Sequence, residues 1–178
     1  KRETASPKLH AIVAPSFTGQ FGNKVTPEMI FAGIQRLGFD RVMEVAYGAD
    51  CDTILLAEKY TTKQGKFLGT SCCPSWVLTA RNSYPDLAEN IADSYTPMVE
   101  TAKKIKESDV HAKVIFIGPC IAKKYEALTT EVSGYVDHVL TFEELAALFV
   151  AFEIDLSTIG ESPAIQDASM LGRGYANA

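Results

Sequence analysis

The sequence predicts an α/β fold built on a mainly parallel sheet. Short β-branched apolar runs alternate with helical patterns of about 10 to 14 residues, the pattern of βαβ units. Proline and glycine fall at the joints between these runs. The 178 residues, 47% hydrophobic and 22% charged, suit one domain, or one and a half small lobes, with a packed core.

In order, Leu9 to Ala14 reads as a buried strand closed by Pro15. Thr26, Pro27 and Glu28 give a cap, a first-turn proline and an acid, so a helix should run to about Leu37, with Gly38 past its end. Arg41 to Val45 is a second strand, Gly48 to about Thr61 a helix, and Lys66 to Leu68 a short strand. Pro74 to Asn82 is helical, and Pro85 opens a short helix through Ile91. Thr96 and Pro97 start a helix that turns Met98, Thr101, Ala102 and Ile105 inward. Lys113 to Ile117 is the clearest strand, followed by a helix over Ile121 to Leu128. Val136 to Leu140 is another strand, and Thr141 with Glu144 forms a capping box for a helix over Phe142 to Phe152. After Ser157 the glycines and Pro163 suggest a loop.

Composition narrows the function. The net charge of −5 disfavours nucleic-acid binding, which needs a basic face. No apolar run approaches the roughly 20 residues of a membrane span. Lys1 to Lys8 do not form a secretory signal, and the lack of an initiator Met suggests a piece of something longer. Cysteines at 51, 72, 73 and 120 are too few for a disulfide framework, so a reducing, cytoplasmic setting is expected.

Ligands in open α/β sheets bind beyond the carboxyl ends of the strands. Ala14-Pro15-Ser16, Ser71-Cys72-Cys73-Pro74 and Gly118-Pro119-Cys120 fall there. A strand-to-helix turn aims free N–H groups at each cysteine and favours thiolate, the form that binds metal or attacks. Lys123 adds a positive charge one turn past Cys120, whereas Cys51 between Asp50 and Asp52 reads as packing. Structural zinc wants Cys-x-x-Cys knuckles, which are missing. His10, His111 and His138 fall near strand beginnings or middles, which disfavours a Cys/His nucleophile. Iron–sulfur ligation remains, with two or three of the needed thiolates in place.

Thr70-Ser71-Cys72-Cys73-Pro74-Ser75-Trp76 resembles the first signature of the catalytic domain of iron-only (di-iron) hydrogenases. Pro119-Cys120-Ile121-Ala122-Lys123-Lys124-Tyr125-Glu126 resembles the second, and Ala14-Pro15-Ser16 the segment lining the cofactor pocket. Trp76-Val77 with Tyr84-Pro85, and the stretch from Val136-Asp137 to Glu144-Leu145, also fit. The resemblance covers nearly the whole chain. It implies two lobes of mainly parallel sheet flanked by helices, with a cofactor cleft between them. It also implies the H-cluster, a 4Fe–4S cubane joined to a di-iron subcluster with carbonyl, cyanide and dithiolate ligands.

By the same resemblance, Cys73 and Cys120 ligate the cubane and Cys72 relays protons. Lys123 donates to one cyanide, Ser16 and the Pro15 region contact the other, and Glu126 supports the Lys123 helix. Ala14, Ser71, Gly118 and Pro119 complete the pocket. The substrates implied are H₂ and protons, and the partners are ferredoxin-like electron-relay domains or proteins.

The chain departs from that pattern in several places. A third signature with two more cysteines, one of them the bridge, is expected after Leu171-Gly172-Arg173-Gly174-Tyr175. The 178 residues therefore read as a partial catalytic domain without upstream ferredoxin-like domains, expected to be inactive and nearly metal-free when isolated. Gly118 stands where the family has Met. Leu55 and Leu56 replace acids on the helix before the first signature, although Glu58 is near, and Ala92 replaces a serine of the proton route. These features resemble the sensory subgroup and imply slow turnover or H₂ sensing. A non-catalytic iron–sulfur assembly or interaction protein of the same fold, and an unrelated redox thiol protein, are the alternatives.

Overall fold

The computed structural model describes residues 6–62, 67–162 and 168–174. Four strands, β1 (Leu9–Val13), β2 (Arg41–Glu44), β3 (Lys113–Gly118) and β4 (His138–Thr141), form one parallel sheet in the order β2-β1-β3-β4. Ala11 pairs with both Val42 and Ile115, and Ile117 pairs with Leu140. Sheet order reverses between β1 and β3, so the crevice at their carboxyl ends is the topological switch point.

The helices follow from the connections. Right-handed crossovers place α1 (Pro27–Arg36), between β1 and β2, on one face and α5 (Pro97–Ser108), which precedes β3, on the other. Helix α7 (Phe142–Ala151) shares the α1 face: a Cβ on Gly33 would meet Leu156 at 2.4 Å and Phe149 at 3.1 Å. Helix α2 (Ala46–Thr62) packs along α5. A fully buried core of Ile12, Ile30, Ile34, Val42, Met98, Val114, Ile117 and Leu145 joins the layers. Caps act where expected. Thr26 Oγ1 accepts from the Met29 N–H, and Thr141 with Glu144 closes a complete capping box.

The α/β class, the parallel sheet and the flanking helices are as expected. Some local expectations need correction. Lys66 lies outside the described residues, and Phe67 and Leu68 are not a strand. A single parallel bridge joins Gly69 to Ile91 instead, because a two-residue apolar run has no neighbour to pair along. The segment from 67 to 96 therefore carries α3 (Pro74–Ser83) and α4 (Pro85–Ala88) but no second sheet among the described residues. The expected loop after Ser157 contains α8 (Met170–Gly174). The Asp50 carboxylate accepts from Ser169 N–H and Gly172 N–H at 2.8 and 2.9 Å, and also bonds the Ser169 hydroxyl. A Cβ on Gly172 would lie 2.1 Å from the Ala46 carbonyl oxygen, so only glycine permits this approach. Tertiary contacts thus override a glycine-rich sequence.

Asp137 ties β3 to β4. Its carboxylate accepts from the Val114 N–H at 2.8 Å, Lys113 at 2.7 Å and Lys106 at 3.0 Å. Burial alone would raise its pKa, but the bonds from Lys113, Val114 and Lys106 outweigh burial and hold it below the ordinary value. A depressed carboxylate gives stability that is present above the unfolded value of about 3.9 and lost as pH falls through the folded one. Urea unfolding should therefore show Asp137→Asn weaker than wild type at pH near 7. The gap should narrow below pH about 4.

Candidate functional site

A cavity of about 280 Å³ opens at the carboxyl ends of β1 and β3. Ala14, Pro15 and Ser16 form one wall, continuing β1 through the Ala14 N–H, which donates to the Ile117 carbonyl at 2.8 Å. Pro119 and Cys120 follow β3 and lead into α6 (Ala122–Glu126), which carries Lys123. Cys72 approaches from the turn before α3, and Val45, Ala49, Pro97, Met98 and Phe116 supply the apolar surface. Three predicted segments, separated by up to about a hundred residues, thus share one crevice.

The chemistry of the wall is specific. Lys123 is 8% exposed, and its ammonium donates to Glu126 Oε2 at 2.7 Å and to the Cys72 carbonyl at 3.1 Å. It therefore ties the first cysteine turn to the second. Glu126 accepts from the Thr96 hydroxyl at 2.7 Å through its other oxygen, so both sides of the carboxylate are served. The Cys72 sulfur lies 3.4 Å from the Thr70 hydroxyl. Cys73 is the N-cap of α3, and its sulfur accepts from the Trp76 N–H at 3.5 Å. Ser71 is buried, with its hydroxyl donating to the Ser94 carbonyl at 2.8 Å.

Of the predicted site residues, Ala14, Pro15, Ser16, Cys72, Pro119, Cys120 and Lys123 line the cavity. Glu126 lies behind Lys123, Gly118 ends β3, and Ser71 and Cys73 flank Cys72 without lining that cavity. The Cys120 turn joins a strand to a helix as expected, whereas the Cys72 turn follows only the Gly69 bridge. The helix starts at Thr96 and Pro97 as expected, but the Thr96 hydroxyl makes no cap bond and donates to Glu126 instead. None of the three histidines lines the cavity. Sequence reasoning also missed Phe116, a core-strand residue whose position near the site was not signalled by any motif.

Gly118 has a steric reason. Residues 116 and 118 share one face of β3. A Cβ at 118 would stand 2.5 Å from the Phe116 ring and 3.1 Å from the Ala14 Cβ. Gly118→Met should therefore lose about 1–3 kcal/mol through overpacking. Adding Phe116→Ala should return part of that loss, as a double-mutant cycle in urea would show.

The chain matches the family described as iron only hydrogenase large subunit, C-terminal domain, over residues 7–178. It belongs to that family. Iron hydrogenase 1 of Clostridium pasteurianum is 31% identical over 89% of this chain and 30% of its own length. The cytosolic Fe-S cluster assembly factor NAR1 of Kluyveromyces lactis is 31% identical over 58% of this chain and 22% of its own length. Among solved structures, a variant of FeFe-hydrogenase HydA1 from Chlamydomonas reinhardtii superposes with a TM-score of 0.78 at 25% identity. That match covers 93% of this chain and 48% of that one. The chain thus spans about a third of the curated hydrogenases it matches and about half of the solved ones.

The residues fit part of an iron–sulfur site of this family. Two thiols, Cys72 and Cys120, and the buried Lys123 ammonium share the cavity, but no group of three metal-ligating side chains forms among the described residues. No helix among the described residues is long and apolar enough to cross a membrane.

Proposed function

We propose that this chain is one part of a hydrogenase catalytic domain that carries out 2H⁺ + 2e⁻ ⇌ H₂ in the complete protein, slowly or as a hydrogen sensor. The observation that supports this reading is the convergence of Cys72, Cys120 and Lys123 with Ala14-Pro15-Ser16 on one cavity at the sheet switch point. Cys73 and Cys120 would hold a cubane, with further ligands from outside this chain. The bound H-cluster would supply the redox metal and the di-iron centre at which hydrogen is made or split. Partner domains of ferredoxin type would carry the electrons, and a cytoplasmic setting suits four free, half-buried thiols.

The chain's own residues then have distinct tasks. Lys123, oriented by Glu126, presents an ammonium to anionic ligands. Cys72 holds a proton at its sulfur, with the exposed Thr70 hydroxyl beside it as an exchange partner. The apolar wall of Val45, Met98 and Phe116 limits water.

A second reading is an iron–sulfur assembly or interaction protein, favoured by the similarity to the NAR1 factors. Infrared spectroscopy of the full-length protein after maturation separates the two. The hydrogenase reading expects carbonyl and cyanide stretching bands. Iron and sulfide without those bands would favour the assembly reading.

A further inference from the structure

A threonine stands at the N-cap of α1 (Thr26), of α7 (Thr141) and of α5 (Thr96). Thr26 and Thr141 each accept a backbone N–H of their own helix. Thr96 does not. Its hydroxyl donates instead to Glu126 Oε1 at 2.7 Å. A threonine at this position ordinarily serves the helix, so the diverted hydroxyl has another task.

That task follows from where the bond leads. Glu126 accepts from the Lys123 ammonium through its other oxygen at 2.7 Å, and the same ammonium donates to the Cys72 carbonyl at 3.1 Å. One residue back, the Ser71 hydroxyl donates to the Ser94 carbonyl at 2.8 Å, and the chain runs from Ser94 through Tyr95 to Thr96. The path closes on itself. Its four hydrogen bonds join the first cysteine turn, α6 and the segment before α5 into one ring. Ser71, Thr96, Lys123 and Glu126 are all buried, so water cannot readily replace a bond that is lost.

The ring also divides two cavities. Cys72 and Lys123 line the one of about 280 Å³ at the strand ends. Ser71, Ser94, Thr96 and Glu126 line a second one of about 340 Å³ on the α3 side.

We propose that Thr96 is a positioning residue for the site: it fixes the second oxygen of Glu126, thereby aims the Lys123 ammonium, and keeps the ring closed as a polar seal between the two cavities. A carboxylate held at one oxygen can swing, whereas one held at both must break a bond to move. Without the Thr96 donor, Glu126 is free to turn toward the second cavity, draw Lys123 with it and release the Cys72 carbonyl. That Lys123 faces a cofactor rests on the hydrogenase reading, whereas its restraint by Thr96 does not.

Amine modification of the full-length protein before maturation, read by peptide mass spectrometry, tests the ring. Lys124, with its side chain 41% exposed, is the internal reference. Thr96→Val keeps the side-chain shape and removes the donor. Lys123 should then be modified about tenfold faster relative to Lys124, the effect of losing a hydrogen bond to a charged group. Thr96→Ser keeps the donor and should restore wild-type protection. Ser71→Ala opens the ring at its other junction and should also speed modification of Lys123, which keeps the test available if Thr96→Val does not fold. In the matured protein, Thr96→Val should shift the cyanide bands and Thr96→Ser should leave them in place. Wild-type protection of Lys123 in Thr96→Val or in Ser71→Ala would overturn the proposal. So would a Thr96→Ser as reactive as Thr96→Val, or unshifted cyanide bands in matured Thr96→Val. If Lys123 is unprotected as expected but even the matured wild type shows no cyanide bands, the hydrogenase reading falls while the ring stands.

Discussion

Lys123→Met should destabilise the chain by about 3–5 kcal/mol, measured by urea unfolding at neutral pH. The effect is large because it strands a charge. Side chains of Lys123 and Glu126 are only 11% and 9% exposed, and they meet at 2.7 Å. Without the ammonium, Glu126 keeps the Thr96 hydroxyl at 2.7 Å but has no countercharge. The Cys72 carbonyl also loses its donor. Removing both partners, as Lys123→Met with Glu126→Leu, should cost less than the single change, because no uncompensated charge remains. Equal losses in single and double variants would show that the pair carries no such coupling. The same ammonium joins the two cysteine turns, so the single variant should also loosen the cavity wall at Cys72.

Gly48→Ala should be the next most damaging change. The added methyl would lie 2.2 Å from the Pro97 carbonyl oxygen and 2.5 Å from Thr101 Oγ1. Backbone cannot yield there as a flexible side chain would, so α2 and α5 must part. Overpacking of this kind costs about 1–3 kcal/mol. The site should feel it too, since Ala49 of α2 and Pro97 and Met98 of α5 line the cavity. Solvent exchange of the α5 amides should quicken in this variant. An unchanged unfolding midpoint with unchanged exchange would contradict the close seam.

The elements legible in the sequence were those with local signals. Thr26-Pro27-Glu28 and the Thr141–Glu144 box fixed helix starts, because a cap acts within a single turn. Val114 to Ile117 was legible as a strand because buried parallel strands are continuously apolar. Phe67 and Leu68 misled, because a short apolar run says nothing about whether a neighbouring strand exists to pair with it. Helix α8 was illegible, because its glycines are tolerated only through Asp50, more than a hundred residues away. The shared cavity of Cys72, Cys120 and Lys123 was legible from residue type, and for Cys120 and Lys123 also from position after β3, whereas the Cys72 turn follows no strand. The Thr96–Glu126 bond, the Phe116–Gly118 exchange and the buried state of Asp52 were not legible. Each depends on which face of an element meets which neighbour, a fact that spacing alone does not carry.

The central claim is that cysteines 73 and 120, distant in sequence, serve one iron–sulfur group at the mouth of the sheet. Iron and acid-labile sulfide should be counted in the full-length protein and its single Cys→Ser variants. The account predicts wild-type iron and sulfide in Cys51→Ser, and a loss of about four of each with the cubane in both Cys73→Ser and Cys120→Ser. Full iron and sulfide in either of the latter two would contradict it.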